Sequence, residues 1–185
     1  MKLLVKFNLI FVGVVTVGIA ISGWITRDLL QANAREEVQN NARLLMESAS
    51  AVRGYTAGQI TKLLQAQMQQ EFLPQAVPSY SATEVQNALH AKYPEYAYKE
   101  ATLNPTNPRD RAVGWEVDIV NSFRADEALK EFVGQRDTPT GKSLYIARPL
   151  RITNGACLVC HSSLEAAPKT MVDKYGPANG FGWQM

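Results

Sequence analysis

Residues 7–25, "FNLIFVGVVTVGIAISGWI", carry no charge, and from Asp28 to Gln70 the chain contains no proline. Together these two facts commit much of a 185-residue chain to helix before any fold is considered. A bilayer leaves no backbone group to water, so a spanning segment must satisfy its own hydrogen bonds as a helix. About 20 apolar residues cross the hydrocarbon core, and this run is just long enough. Lys2 and Lys6 precede it, which by the positive-inside tendency places the N-terminus in the cytoplasm. Trp24 stands at the far end, where an amphipathic ring suits the interface. A cleaved signal peptide is the alternative, but its apolar region would be about 7–15 residues and would end at a small-residue site. No such site precedes Arg27. The expectation is an uncleaved single-pass anchor over residues 1–27 in the inner (plasma) membrane. Everything after Arg27 then lies in the periplasm or outside the cell.

The next expected unit is a long helix over residues 28–70. Val38, Ala42, Leu45, Ala49, Val52, Thr56, Ile60 and Leu63 recur at alternating steps of four and three, a heptad seam with Thr56 its weakest member. The polar "NAREEVQNNAR" (33–43) has no evident partner, which makes a homodimer along this helix one reading. The other, favoured for residues 42–64, is an ordinary amphipathic helix with one face on its own domain. Gly54 and Gly58 each cost such a helix about 1 kcal/mol relative to alanine. They also permit close approach of something bulky.

Residues 71–185 read as an α+β domain, a small antiparallel sheet with flanking helices. "FLPQAVPSY" (72–80) breaks the helix with two prolines. "SATEVQNALHAKYP" (81–94) predicts a short helix, with Ser81 and Glu84 as a capping box and Pro94 as the stop. "EYAYKEATL" (95–103) alternates like a strand and ends in the turn-rich "NPTNPRD". "VGWEVDIVNSFRADEALKEF" (113–132) is helical in pattern. "GKSLYIARPLRI" (141–152) is strand-like, with Pro149 marking an edge, a bulge or a bend. A net charge of +2 without a basic stripe gives no footprint for nucleic acid. No nucleophile, base or phosphate loop recommends an enzyme.

The two cysteines, Cys157 and Cys160, stand in "NGACLVCHSS" with His161 directly after them. A zinc site needs four ligands, and the only other histidine, His90, sits far away among polar neighbours. A redox dithiol would want a strand before it and a helix after it. A disulfide here closes a very small loop and constrains little of the unfolded chain. The remaining reading uses every residue of C-x-x-C-H: two thiols add across haem vinyl groups, and the adjacent imidazole becomes the proximal iron ligand.

"AVRGYT" (51–56), "FLPQAVPSYSATEV" (72–85), "YKEATLNPTNPRD" (98–110), "LYIARPLRI" (144–152) and "CLVCHSSLEAAPKTMVDKYGPANGFGW" (157–183) resemble, in order and spacing, the bacterial family of exported c-type haem domains with a PAS-like fold. The resemblance runs from about residue 40 to the end. It implies a PAS-like antiparallel sheet holding one covalent haem c on Cys157 and Cys160, with His161 as an axial ligand. Family members serve as sensory regions of histidine kinases, chemoreceptors and cyclases, or as free-standing haem proteins. The family continues past "GFGW", which implies that this chain lacks a last strand and a cytoplasmic output module. The family's sulfur ligand on the long helix falls at Ala49, which cannot bind iron. The nearest sulfur on that helix is Met46, the candidate distal ligand.

Haem carboxylates favour guanidinium partners, and Arg53, Arg148 and Arg151 are the candidates. Tyr55, Tyr96, Tyr145, Phe181 and Trp183 are candidates for an apolar wall. The functional expectation is a membrane-anchored sensor of redox state or of a diatomic gas, signalling to a cytoplasmic output. The competing reading is a membrane-tethered monohaem cytochrome for electron transfer, with a redox partner. A third is a haem-free ligand sensor in which the cysteines pair.

Overall fold

From Leu3 to Tyr55 the backbone is one α-helix, α1. The computed structural model describes residues 2–139, 141–153 and 155–185. The chain divides into two units, Met1–Ala42 and Arg43–Met185. The first is helix from Leu3 onward, and its apolar side chains, from Leu3 to Leu30, are exposed. By length and composition it is apolar enough to cross a membrane.

In the second unit, α1 gives way at Thr56–Ile60 to a turn of π-helix, followed by short helices α2 (Thr61–Leu63) and α3 (Gln65–Met68). The widened turn contains Gly58. Thr56 donates its hydroxyl back to the Val52 carbonyl (2.8 Å), while Thr61 Oγ1 lies within hydrogen-bond distance of the carbonyls of Thr56 (2.9 Å) and Ala76 (2.7 Å). The contacts to Val52 and Thr56 serve carbonyls at the wider turn, and the one to Ala76 ties that turn to the segment after the helix. The heptad seam is used inside the unit: Ala49 and Thr56 are buried and Leu45, Val52 and Ile60 are shielded, whereas Leu63 is 78% exposed. Gln86 of α4 (Pro78–His90) reaches this face, its amide donating to the Leu45 carbonyl at 3.4 Å.

Helix α4 starts earlier than its sequence suggests. Pro78 occupies the first turn, where its missing N–H is no loss and its fixed φ suits a helix. The Ser81 amide already bonds the Val77 carbonyl (3.0 Å). No capping box forms: Ser81 Oγ donates to the Gln75 carbonyl, and Glu84 pairs with Arg109.

The strand expected at 95–103 is also corrected. Its alternation is real, since Tyr96, Tyr98 and Glu100 turn inward while Glu95, Ala97 and Lys99 face out. Among the described residues, however, its only ladder pairing is a bridge between Thr102 and Arg111. Side chains fix it instead. Tyr98 donates to Glu100 (2.9 Å), Glu100 pairs with Arg53, and Lys99 bonds Glu116. Burial, and then the neighbouring Glu100, hold the Tyr98 phenol well above its ordinary range.

Helix α5 covers only Trp115–Ala125. Asp126 is extended and accepts the Ala128 amide at 2.8 Å, a local turn that outcompetes further helix. The antiparallel sheet is the hairpin β1 (Phe132–Thr138) and β2 (Gly141–Ala147), in register from Phe132 opposite Ala147 to Thr138 opposite Gly141. Gly134 faces Tyr145, whose ring fills the space a β-carbon would need and contacts Trp115 and Phe132. Pro149 lies just beyond β2, where no ladder amide is required. Phe72, Ile119, Phe123 and Met171, with several alanines, form the buried core. The architecture is α+β, as the pattern predicts.

Candidate functional site

A short 3₁₀ turn, Gly155–Cys157, runs into the single helical turn α6 (Leu158–His161). Residues i, i+3 and i+4 share a helical face, so this turn sets Cys157, Cys160 and His161 together on one side. Both cysteines are free thiols; Cys157 is exposed and Cys160 half-buried. Burial, with the neighbouring Cys157, pushes the Cys160 thiol above its ordinary pKa.

The imidazole of His161 is met by three residues, two at one edge and one on its face. Its Nδ1 lies 2.8 Å from the Gly180 carbonyl. A carbonyl can only accept, so Nδ1 carries the proton and Nε2 keeps its lone pair. Trp183 stacks on the ring. Thr106 Oγ1 lies on the same edge, 3.4 Å from Nδ1. Burial lowers the pKa of His161, opposed by the Gly180 bond, so the ring is kept neutral.

The Gly180 carbonyl belongs to a segment bound on both flanks. Gly182 and Trp183 donate their amides to the carbonyls of Ser162 and His161, each at 3.0 Å. Asn104 accepts the Gly180 amide on Oδ1 and donates Nδ2 to the Phe181 carbonyl, each at 3.3 Å. Arg111 donates to the Asn179 side chain at 3.3 Å. After α6 the chain turns into α7 (Lys169–Tyr175), tied back by Thr170 to the Met68 carbonyl (3.0 Å) and by an edge-on contact between Tyr175 and Phe72.

This donor set fits a covalently attached haem. Two free thiols and a neutral imidazole share one face, and the protonated nitrogen is already engaged, leaving Nε2 to coordinate. The other candidate residues sit elsewhere. Arg53 pairs with Glu100. Arg148 bonds Glu131 (2.9 Å) and Glu47, and Glu131 is also gripped by Arg43. Arg151 donates to the Glu127 carbonyl at 2.8 Å. For any of these guanidiniums to meet a haem carboxylate, a present bond must open or be shared. Tyr55 is 54% exposed, Met46 is partly exposed on α1, and His90 bonds the Tyr96 carbonyl. Tyr145 belongs to the hairpin's aromatic cluster.

Sequence reasoning missed Asn104, Thr106 and Gly180. Their signal is the density of asparagine, proline and glycine in "NPTNPRD" and "YGPANGFGW", which pattern reading assigns to turns. The contact between those turns, about 75 residues apart along the chain, is not a local property.

The Tll0287-like family model, described as Tll0287, matches residues 31–185, a span containing every motif that carries the family resemblance. Comparison with curated proteins gave no match. Among solved structures, the chain is similar to the crystal structure of the cyanobacterial haem-protein Tll0287, with a TM-score of 0.63 and 15% identity. The match covers 80% of this chain and 88% of that one. At that identity the likeness speaks to the fold alone.

Proposed function

The chain belongs to the Tll0287-like family, and from that premise we propose that it binds one haem c, covalently, through Cys157 and Cys160, with His161 as the proximal ligand. We further propose that it acts as a membrane-anchored extracytoplasmic sensor of redox state or of a diatomic gas. The observation that carries the haem assignment is the Gly180 carbonyl on His161 Nδ1, which fixes the tautomer an iron ligand needs, on the turn that bears both thiols. A haem held there would supply an iron that changes oxidation state or takes a ligand on its far side. The polypeptide's part is to attach, to orient the imidazole through Gly180 and Trp183, and to keep that ring neutral.

Anchoring rests on the apolar segment within α1. The same helix supplies Ala49 to the interior of the second unit, and Thr56 is buried directly after it, at the start of the widened turn. An electron carrier needs a tether but gains nothing from a helix built into its core, which favours the sensor over the cytochrome. Pairing of two copies belongs to this reading along residues 28–42, since from Leu45 to Ile60 the seam faces the interior of its own unit. An output module in cis belongs to it as well.

The test is expression with a c-type maturation system. The mass should exceed that of the apoprotein by one haem, and the haem should survive acid–organic extraction. Cys157→Ala should weaken or abolish attachment, and His161→Ala should alter the spectrum most. Haem that extracts freely would refute covalent attachment.

A further inference from the structure

We propose that Asn104 and Thr106 are positioning residues for His161, and that through the Gly180 carbonyl they set the reduction potential of the haem. The inference rests on the haem reading above. It gives "NPTNP" (104–108) a task beyond making a turn.

The geometry is a two-sided clamp. The Gly180 carbonyl that receives His161 Nδ1–H lies between two groups held by one side chain. Asn104 Oδ1 takes the Gly180 amide, and Asn104 Nδ2 serves the Phe181 carbonyl. The glycine's own carbonyl is therefore aimed from both of its neighbours. Thr106 backs it sterically. Gly180 is buried at φ +90°, and a β-carbon there would fall 2.0 Å from Thr106 Oγ1 and 2.9 Å from Thr106 Cα. The segment has no room to retreat toward loop 104–108. On its other side the Gly182 and Trp183 amides are bonded to Ser162 and His161.

What the clamp controls is how strongly Nδ1–H is hydrogen-bonded. A firm bond from that proton raises the basicity of the imidazole as a metal ligand. A more basic ligand stabilises the oxidised iron more than the reduced, so the potential falls. Loosening the carbonyl should raise it.

The experiment uses the full chain carrying haem. Asn104→Ala should shift the equilibrium toward the reduced form by about tenfold, which for one electron is about 59 mV upward. In the same variant, the iron–imidazole stretching band of the ferrous form should move to lower frequency. Asn107→Ala is the control. Asn107 lies in the same loop and accepts the Arg109 amide at 3.2 Å, with no bond to Gly180, so potential and band should stay put. Where Asn104→Ala yields no mature protein, Asn104→Asp takes its place. It keeps an acceptor for the Gly180 amide and loses the bond to Phe181, and the band should still move down. An attached haem with potential and band unmoved in the Asn104 variant, or an equal shift in Asn107→Ala, would overturn the inference and leave the haem assignment standing. A wild-type chain that takes no haem under working maturation would overturn both.

Discussion

Trp183 lies flat on His161, ring centroids 4.0 Å apart and planes 11° from parallel. The backbone makes this possible, because the Trp183 amide donates to the carbonyl of His161 itself. One residue is thus joined to the other by its main chain and covers it with its side chain. The imidazole cannot swing toward Trp183, and in its own plane Gly180 holds its Nδ1.

Removing that cover should loosen the unit. An aromatic pair contributes about 1 kcal/mol beyond the area it buries, and 1 kcal/mol moves the melting temperature of a domain this size by about 2–4 °C. Trp183→Ala should lower Tm by at least that much, and Trp183→Phe should recover most of it. Equal melting of wild type and Trp183→Ala would show that the stack contributes nothing to stability.

Two glycines in the same segment separate crowding from backbone strain. Gly180 and Gly182 both have positive φ, +90° and +79°. A β-carbon at Gly180 collides with Thr106, whereas one at Gly182 meets nothing within 4 Å. Gly182→Ala should pay only the conformational penalty, about 1 kcal/mol. Gly180→Ala should cost about 3 kcal/mol or more and displace the carbonyl from His161. Chemical denaturation of the two variants checks the order. Equal losses would mean that Thr106 yields freely.

Features decided within a few residues were legible in the sequence. The absence of proline before residue 70 gave helix, and the strand-like run around Tyr145 gave β2. Failures arose where a local rule met a longer-range partner. Ser81 and Glu84 satisfy the capping-box spacing, yet Pro78 starts the helix first and Glu84 is taken by Arg109. Residues 95–100 alternate as a strand should, yet Arg53 and Glu116 fill the place of a neighbouring strand. Asn104 looks like a turn residue because its partners at Gly180 and Phe181 are distant in sequence.

Two carboxylates should give opposite pH signatures. Hydrogen bonds from Arg43, and then Arg148, hold Glu131 below the ordinary glutamate range. Its stabilising contribution is present above that range and is lost as pH falls through the depressed folded value. Burial raises Asp110, with Glu100 adding to it and Arg109 opposing. The folded state therefore favours protonated Asp110, and stability declines as pH rises from the ordinary aspartate value through the raised one. Glu131→Gln should lose about 1 kcal/mol at neutral pH and flatten the acid limb. Asp110→Asn should stabilise at neutral pH and change little in acid. Denaturation of both variants from about pH 3 to about pH 8 reads the signs directly.

The far side of the iron supplies the last prediction, which rests on the haem assignment. The family resemblance implies a sulfur ligand at the position of Ala49, which is 1% exposed and offers only a methyl group. Met46 lies three residues earlier on α1, a rise of about 4.5 Å, and helical side chains lean toward the N-terminus. Its thioether therefore points away from the place Ala49 leaves. To take up the ligand position, Met46 would need the helix to shift or kink between the two sites. Yet α1 is unbroken through Tyr55, and its irregular turn begins only at Thr56. We therefore expect a five-coordinate or weakly water-ligated iron that binds carbon monoxide readily in the ferrous state, the behaviour of a gas sensor. Met46→Leu should leave the spectrum and the carbon monoxide affinity unchanged. A low-spin ferrous spectrum that resists carbon monoxide, and turns high-spin in Met46→Ala, would install Met46 as the ligand. It would also move the reading toward electron transfer or redox sensing, because methionine–histidine ligation raises the potential.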